Sequence, residues 1–301
     1  MTYATGTISG ANTGQLLINA MDAVIVAETG LSKVSSAIVV GTNTWNVYKS
    51  AAANNSFGQD FHFALGYVTA TPTTLLVTVF EGWNTGTLLA TNYPPNTTVT
   101  PNGTFANPGA ALALPSTGTT MGYSQYANLT SSGAWYLSVT VDRIILSFNT
   151  STNVAVGYYI GLYDSFNTTT IDPFPLCVVN LNISSSTITS SAPTAISGLA
   201  TREPNTSTSI STNFAVIGGG VTGCSWTLAS NALDAYKNFN YLSRLMLQGR
   251  TAPSYRGLLK DVYIGPTQTN NGDTVTWQLA GNTKVAVRAG IGVFGVYFLT
   301  V

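Results

Sequence analysis

The chain of 301 residues carries 7% charged side chains, one histidine and two cysteines, where a soluble domain averages about 25% charged residues. Eleven Lys and Arg balance eleven Asp and Glu; with no basic excess to hold phosphates, nucleic acid is not expected as a partner. At 45% hydrophobic residues the composition excludes intrinsic disorder, which needs low hydrophobicity and high net charge, and zero net charge disfavours a chain that stays dispersed at high concentration.

Residues 1–6 show no cationic stretch ahead of an apolar run, so no signal peptide is expected. No run approaches the roughly 18 uninterrupted apolar residues that a membrane-spanning helix needs. The first element expected is a helix: Asn12 or Thr13 can cap it, Leu17, Met21, Val24 and Ile25 recur at helical spacing, Gln15, Asn19 and Asp22 fill the other face, and Gly30 ends it. Residues 60–68 then alternate Phe61, Phe63, Leu65 and Tyr67 with Asp60, His62, Ala64 and Gly66, the period of two of a strand with one buried face. Residues 75–80, after Pro72, read as its hairpin partner. Between 93 and 116 lie Pro94, Pro95, Pro101, Pro108 and Pro115 among Thr and Asn, which predicts a long loop or arm.

Strands follow at 135–141, 143–148, 158–161 and 176–183. The Ser/Thr-rich stretch 184–213, with Pro193 and Pro204, is the best boundary between residues 1–183 and a C-terminal β-rich region, 214–301, that stands apart or packs into the same domain. That region shows strands at 214–217, 224–228, 274–279 and 284–288, a short helix followed by a strand over 231–248, and a tight turn at Asn271-Gly272-Asp273. Residues 291–301 are apolar on both alternating faces, with Phe294 and Phe298 on one of them; this is a strand covered on both sides in its own sandwich, or one inserted in a subunit contact. The fold class expected is mainly β, an antiparallel β-sandwich-type domain or domains with one N-terminal helix and long Pro/Thr/Asn-rich loops.

Chemical motifs are scarce. Gly218-x-Gly220-x-x-Gly223 and Gly290-x-Gly292-x-x-Gly295 match a dinucleotide-binding pattern, but strand-like alternation follows the first and six residues follow the second, where a helix N-terminus is required. His62 is the only histidine and reads as a partly exposed strand residue beside Asp60. One histidine with the distant Cys177 and Cys224, both read as small buried hydrophobes, does not make a zinc site. Asp142, Asp164 and Asp172 could pair for glycosidase chemistry only if folding brings them together. Calcium at Asn270-Asn271-Gly272-Asp273 is less well founded than a turn. No catalytic, cofactor-binding or metal-ligating residue is assigned, no small-molecule substrate is expected, and the chain is not expected to be an enzyme. Tyr123, Tyr126, Tyr158 and Tyr159 serve a core, an interface or a stacking platform.

Charge is unevenly placed. From Asp234 onward seven basic residues meet three acidic ones, and before it four meet eight. Complementarity between neighbouring copies would use such a bias for register, which makes Arg244, Arg250, Arg256 and Lys260, with Phe294 and Phe298, the candidate interface residues.

The run Trp135-Tyr136-Leu137-Ser138-Val139-Thr140-Val141-Asp142-Arg143-Ile144-Ile145, followed by Tyr158-Tyr159-Ile160-Gly161 and Phe174-Pro175-Leu176, resembles structural proteins of tailed bacteriophage particles. So does Arg256-Gly257-Leu258-Leu259-Lys260-Asp261-Val262-Tyr263-Ile264 with the Asn271-Gly272-Asp273 turn. The resemblance implies a non-enzymatic virion component in the tail, baseplate or neck, contacting copies of itself and other virion proteins, without cofactors. A capsid decoration protein is the alternative location, and a glycan-binding fibre or surface adhesin the alternative role.

Overall fold

The first described residues already depart from a helix-first reading, because Thr2–Ile8 form a strand. The computed structural model describes residues 1–91, 111–114, 116, 125–150, 155–165, 175–181, 199–201, 215–218, 243–248, 255–266, 274–279, 282–288 and 294–299. Its elements are β1 (Thr2–Ile8), α1 (Thr13–Ala27), β2 (Leu31–Val40), β3 (Asn43–Ser50), β4 (Phe61–Val68), β5 (Thr71–Phe80), β6 (Gly82–Asn84), β7 (Leu89–Thr91), β8 (Ala111–Ala113) and β9 (Gln125–Asn128). They continue with β10 (Gly133–Thr140), β11 (Arg143–Thr150), β12 (Ala155–Leu162), β13 (Asp164–Ser165), β14 (Leu176–Asn180), β15 (Leu199–Thr201), β16 (Ala215–Gly218), β17 (Ser243–Gln248), β18 (Tyr255–Pro266), β19 (Thr274–Leu279), β20 (Asn282–Arg288) and β21 (Phe294–Leu299). Among the described residues the fold is mainly β with antiparallel sheets and one helix, as the composition and periodicity predict.

The first sheet runs β1-β10-β11-β12-β14-β15 and the second β2-β3-β4-β5-β9, with β6-β7-β8 as a small third. The C-terminal sheet runs β16-β17-β18-β21-β20-β19, and β13 pairs with β18. The first and second sheets share one apolar core. Leu137, Val139, Ile144, Leu146, Tyr158 and Ile160 meet Phe61, Phe63, Leu65, Leu75, Val77 and Val79 there, and α1 inserts Leu17, Ile18, Met21 and Ile25. Each such side chain contributes about 1.5–3 kcal/mol by leaving water.

Neither expected cap closes α1. Asn12 makes no side-chain cap bond, and the Thr13 hydroxyl donates instead to the Leu129 carbonyl. The helix stops at Ala27, and Gly30, at φ 91°, makes the turn into β2. The strand at 60–68 and its hairpin partner form as predicted, with Phe63 opposite Val79 and Leu65 opposite Val77. Burial differs: β4 is covered on both faces, because Ala64 joins a second cluster with Trp45, Leu76, Phe80, Ala90 and Leu114, to which the small sheet contributes.

The predicted loop at 93–116 is interrupted by β8, which pairs Ala111–Ala113 with Leu89–Thr91. Likewise Leu199–Thr201, inside the proposed boundary, add a strand to the first sheet opposite Cys177–Val179. Most of both stretches lies outside the described residues, as do the strand predicted at 224–228 and the helix predicted within 231–242. The Asn271-Gly272-Asp273 turn also lies outside them, but the strands flanking it do not form a hairpin: β21 and β20 stand between β18 and β19. The terminal strand β21 is interior to its own sheet, paired with β18 on one side and β20 on the other. Its backbone edges are therefore taken by this chain.

One glycine supports the helix against the second sheet. A Cβ on Gly14 would lie 2.0 Å from the carbonyl oxygen of Thr74. Helix propensity favours Ala over Gly by about 1 kcal/mol, yet here Gly14→Ala is expected to lower the melting temperature; a rise in a thermal unfolding scan would show that α1 does not rest on β5 in this way.

Candidate functional site

Two pairs of adjacent, opposite charges far apart in sequence meet at one place. Asp142 and Arg143 sit at the tight connection between β10 and β11; Lys260 and Asp261 sit in the middle of β18. Arg143, whose side chain is 1% exposed, donates through Nε to Asp261 Oδ2 at 3.1 Å and through Nη2 to the same oxygen. Lys260 donates to Asp142 Oδ2 at 2.7 Å and to Ser56 Oγ at 2.9 Å, and its ammonium lies 3.3 Å from Asp164 Oδ1. The pairs cross, acid to base in both directions.

Local structure explains how consecutive residues of one strand reach the same neighbour. In a regular strand Lys260 and Asp261 would face opposite sides. Here β18 is bulged: Arg244 of β17 is opposite Tyr263, but Met246 is opposite Leu258, so two steps along β17 span five along β18. Asp261 takes φ 56° within that bulge, a left-handed conformation that Asp tolerates better than most residues. The bulge is also where β18 changes partner. Gly257 and Leu258 pair with β13, whereas Val262 to Pro266 pair with β21. Bulges commonly re-aim side chains in this manner.

The opposing surface is equally constrained. Asn55 organises the 51–60 loop: its amide donates to Ser50 Oγ at 3.1 Å and to the Gln59 carbonyl at 2.9 Å, and its oxygen accepts the Phe57 and Gly58 N–H groups at 3.0 Å. The loop thereby presents the Ser56 N–H to Asp142 Oδ1 at 2.7 Å. Ser50 Oγ donates to the Val141 carbonyl at 2.7 Å, fixing the connection between β10 and β11. Gly161 at φ 133° lets β12 pass, since a Cβ there would lie 2.3 Å from the Asp142 carbonyl oxygen.

The electrostatics follow from this geometry. Burial pushes the Asp142 carboxyl up, but the Lys260 ammonium and the Ser56 N–H outweigh it and hold the group below its ordinary 3.8. Burial pushes the Tyr159 phenol well up, and its hydroxyl donates to the Leu162 carbonyl. A carboxylate held low and already paired does not serve as the raised general acid of glycosidase chemistry. Asp142 and Asp164 do come together, but as partners of one ammonium; Asp172 lies outside the described residues.

Of the residues predicted for an interface, Lys260 is engaged within the chain, its side chain only 17% exposed. Arg244, Arg256, Phe294 and Phe298 fall on the adjacent strands β17, β18 and β21 of one sheet, and Arg250 lies outside the described residues. Arg143, Asp261, Ser56 and Asn55 were not singled out by sequence. The available signal was the Asp-Arg and Lys-Asp dipeptides of opposite order in a chain so poor in charge.

His62 is not partly exposed. It is 7% exposed, stacks on Phe80 with centroids 5.8 Å apart, and its Nδ1 lies 2.9 Å from the Glu81 carbonyl. Burial pushes its pKa below 6.5. Asp60 pairs with Lys49 at 2.5 Å. Tyr158, Tyr159, Cys177, Trp45 and Tyr48 are fully buried; no Phe, Tyr or Trp with a described side chain is exposed. Tyr123 and Cys224 lie outside the described residues. Among the described residues no three His, Cys, Asp or Glu cluster as metal ligands, and no helix is long and apolar enough to cross a membrane.

Acid should weaken the fold in two steps. His62, held neutral, disfavours protonation in the folded chain, so stability is full above 6.5 and falls as pH drops from there towards its folded value. Asp142 contributes stability that is full above 3.8 and is lost as pH falls through its lowered folded value. Urea-unfolding midpoints measured against pH check both: Asp142→Asn is expected to cost about 2 kcal/mol at neutral pH and to flatten the lower limb, while a lower limb unchanged in the variant would rule Asp142 out as its source.

No protein-family model matches this chain, and no curated protein matches it either.

Proposed function

We propose that this chain is a non-enzymatic structural subunit of a tailed-phage particle, repeated in the tail, baseplate or neck and contacting copies of itself and other virion proteins. The observation that carries the reading is where the charges go. Every Lys and Arg with a described side chain is ion-paired within the chain: Lys33 to Asp22 at 2.7 Å, Lys49 to Asp60 at 2.5 Å, Arg143 to Asp261, and Lys260 to Asp142 at 2.7 Å. Such cations are not offered to phosphates or acidic substrates. What remains for the surface is largely Thr, Ser, Asn and Gly, whose neutral hydrogen bonds suit contacts between subunits.

A second strand of support is positional. Of the segments carrying the phage resemblance, which also include 158–161, 174–176 and 271–273, the β10–β11 hairpin and β18 meet at the crossed ion pairs. They thereby join the first sheet to the C-terminal sheet, which suits an architectural role. A glycan platform has less to recommend it, since no described aromatic ring is exposed.

The test is association with particles. The protein is expected to co-sediment with purified virions in multiple copies, and imaging of the intact particle should place it in a ring or array of the tail, baseplate or neck. Density on the capsid surface would replace that location with the decoration role. A purified chain that is a stable monomer by light scattering and is absent from virions by mass spectrometry would overturn the proposal.

A further inference from the structure

We infer that the crossed ion pairs form a releasable clasp, by which the C-terminal sheet is docked on the first sheet and can open as a unit while the apolar core between the first and second sheets stays closed. The inference concerns the isolated chain and does not depend on the phage reading.

Three observations carry it. Among the described residues, the strand pairing that joins the C-terminal sheet to the rest is short, two residue pairs between β13 and β18: Asp164 with Leu258 and Ser165 with Gly257. Immediately beside it stand all four clasp charges, Asp142, Arg143, Lys260 and Asp261, with Asp164 as a third carboxylate. Finally, the outward face of β10 and β11 buries polar groups beside Ile145, where the inward face is apolar throughout. Ser138, Arg143, Ser147 and Asn149 are buried on it, and Ser138 Oγ, Arg143 Nη1 and Asn149 Nδ2 have no protein hydrogen-bond partner. The inward face of the same strands holds Leu137, Val139, Ile144, Leu146 and Phe148.

These features set the order of opening. Separating the two faces of an apolar core exposes hydrocarbon to water, which is costly in proportion to area. Opening at the seam exposes Ile145, Tyr159, Leu259 and Val262 as well, but it also hydrates Arg143 Nη1, which has no protein partner, and this recovers part of the cost. What resists opening at the seam is the clasp, and removing one member of a buried pair leaves the other uncompensated.

Hydrogen exchange on the full chain tests this. In Lys260→Met, which keeps the length and apolar stem of the side chain, amides of residues 257–263 and 164–165 are expected to exchange about tenfold faster or more, with β3, β4 and β5 unchanged. In the unsubstituted chain the same amides should exchange faster at about 1 M salt than at about 0.1 M, again without change in β3 to β5; this arm stands if the variant does not fold. Exchange that rises together in β18 and β4, or a variant and a salt series that leave β18 untouched, would overturn the inference.

Discussion

Burial of the first sheet on both faces is the constraint from which the rest of this structure follows. Its strand β11 presents Ile144, Ile145 and Leu146 in succession, all at most 1% exposed, and successive residues of a strand point to opposite sides. Neither face can be left in water. On one side α1 and the second sheet supply the cover, and their side chains interdigitate in one core. On the other side Ile145, Tyr159, Cys177 and Val179 are fully buried as well, and there β18 approaches with Lys260 and Asp261. An architecture of stacked layers is the consequence of a strand buried on both faces.

The two covers are held by different physics. The inner one is hydrophobic and non-directional, worth its area and tolerant of small adjustments. The outer one includes the crossed charges, Lys260 to Asp142 at 2.7 Å, with Asp164 3.3 Å from the same ammonium and a guanidinium almost wholly removed from solvent. Such pairs gain little net stability over apolar packing but specify register, because the wrong alignment leaves charges buried and unpaired. In a chain with so few charges, concentrating them at one junction fixes where the C-terminal sheet sits. It also leaves the described exterior nearly free of unpaired charge, the property on which the architectural reading rests.

Elements with strong local periodicity were legible in the sequence. The helix declares itself through Leu17, Met21 and Ile25, the β4–β5 hairpin through alternating aromatics, and β10, β11 and β14 through runs of aliphatic residues. Strands β1, β2 and β3 were missed because their residues are mixed: Thr, Ser, Asn and Lys alternate irregularly, and Trp45, Val47 and Tyr48 are buried by partners distant in sequence rather than by a one-sided pattern. The Asn271-Gly272-Asp273 signal failed differently. It marks a turn chemically, but whether the flanking strands pair depends on β20 and β21 taking their places in the sheet. Of the candidate site, only Lys260, Asp142 and Asp164 were named, and for other reasons, since each of the two crossed pairs joins residues 118 positions apart.

Composition and periodicity by themselves determined that this chain is β-rich, ordered around an apolar interior, poor in the groups that catalysis uses, and biased towards acid in its body and base in its last quarter. Those are properties of residue types and short-range spacing, which local sterics and transfer free energies govern. Tertiary structure alone decided that the opposite biases meet within one chain, that His62 is buried and that β21 lies inside its sheet. Each of these depends on which segments become neighbours, and that is settled by covering the two faces of the first sheet at once, a condition no local stretch of sequence contains.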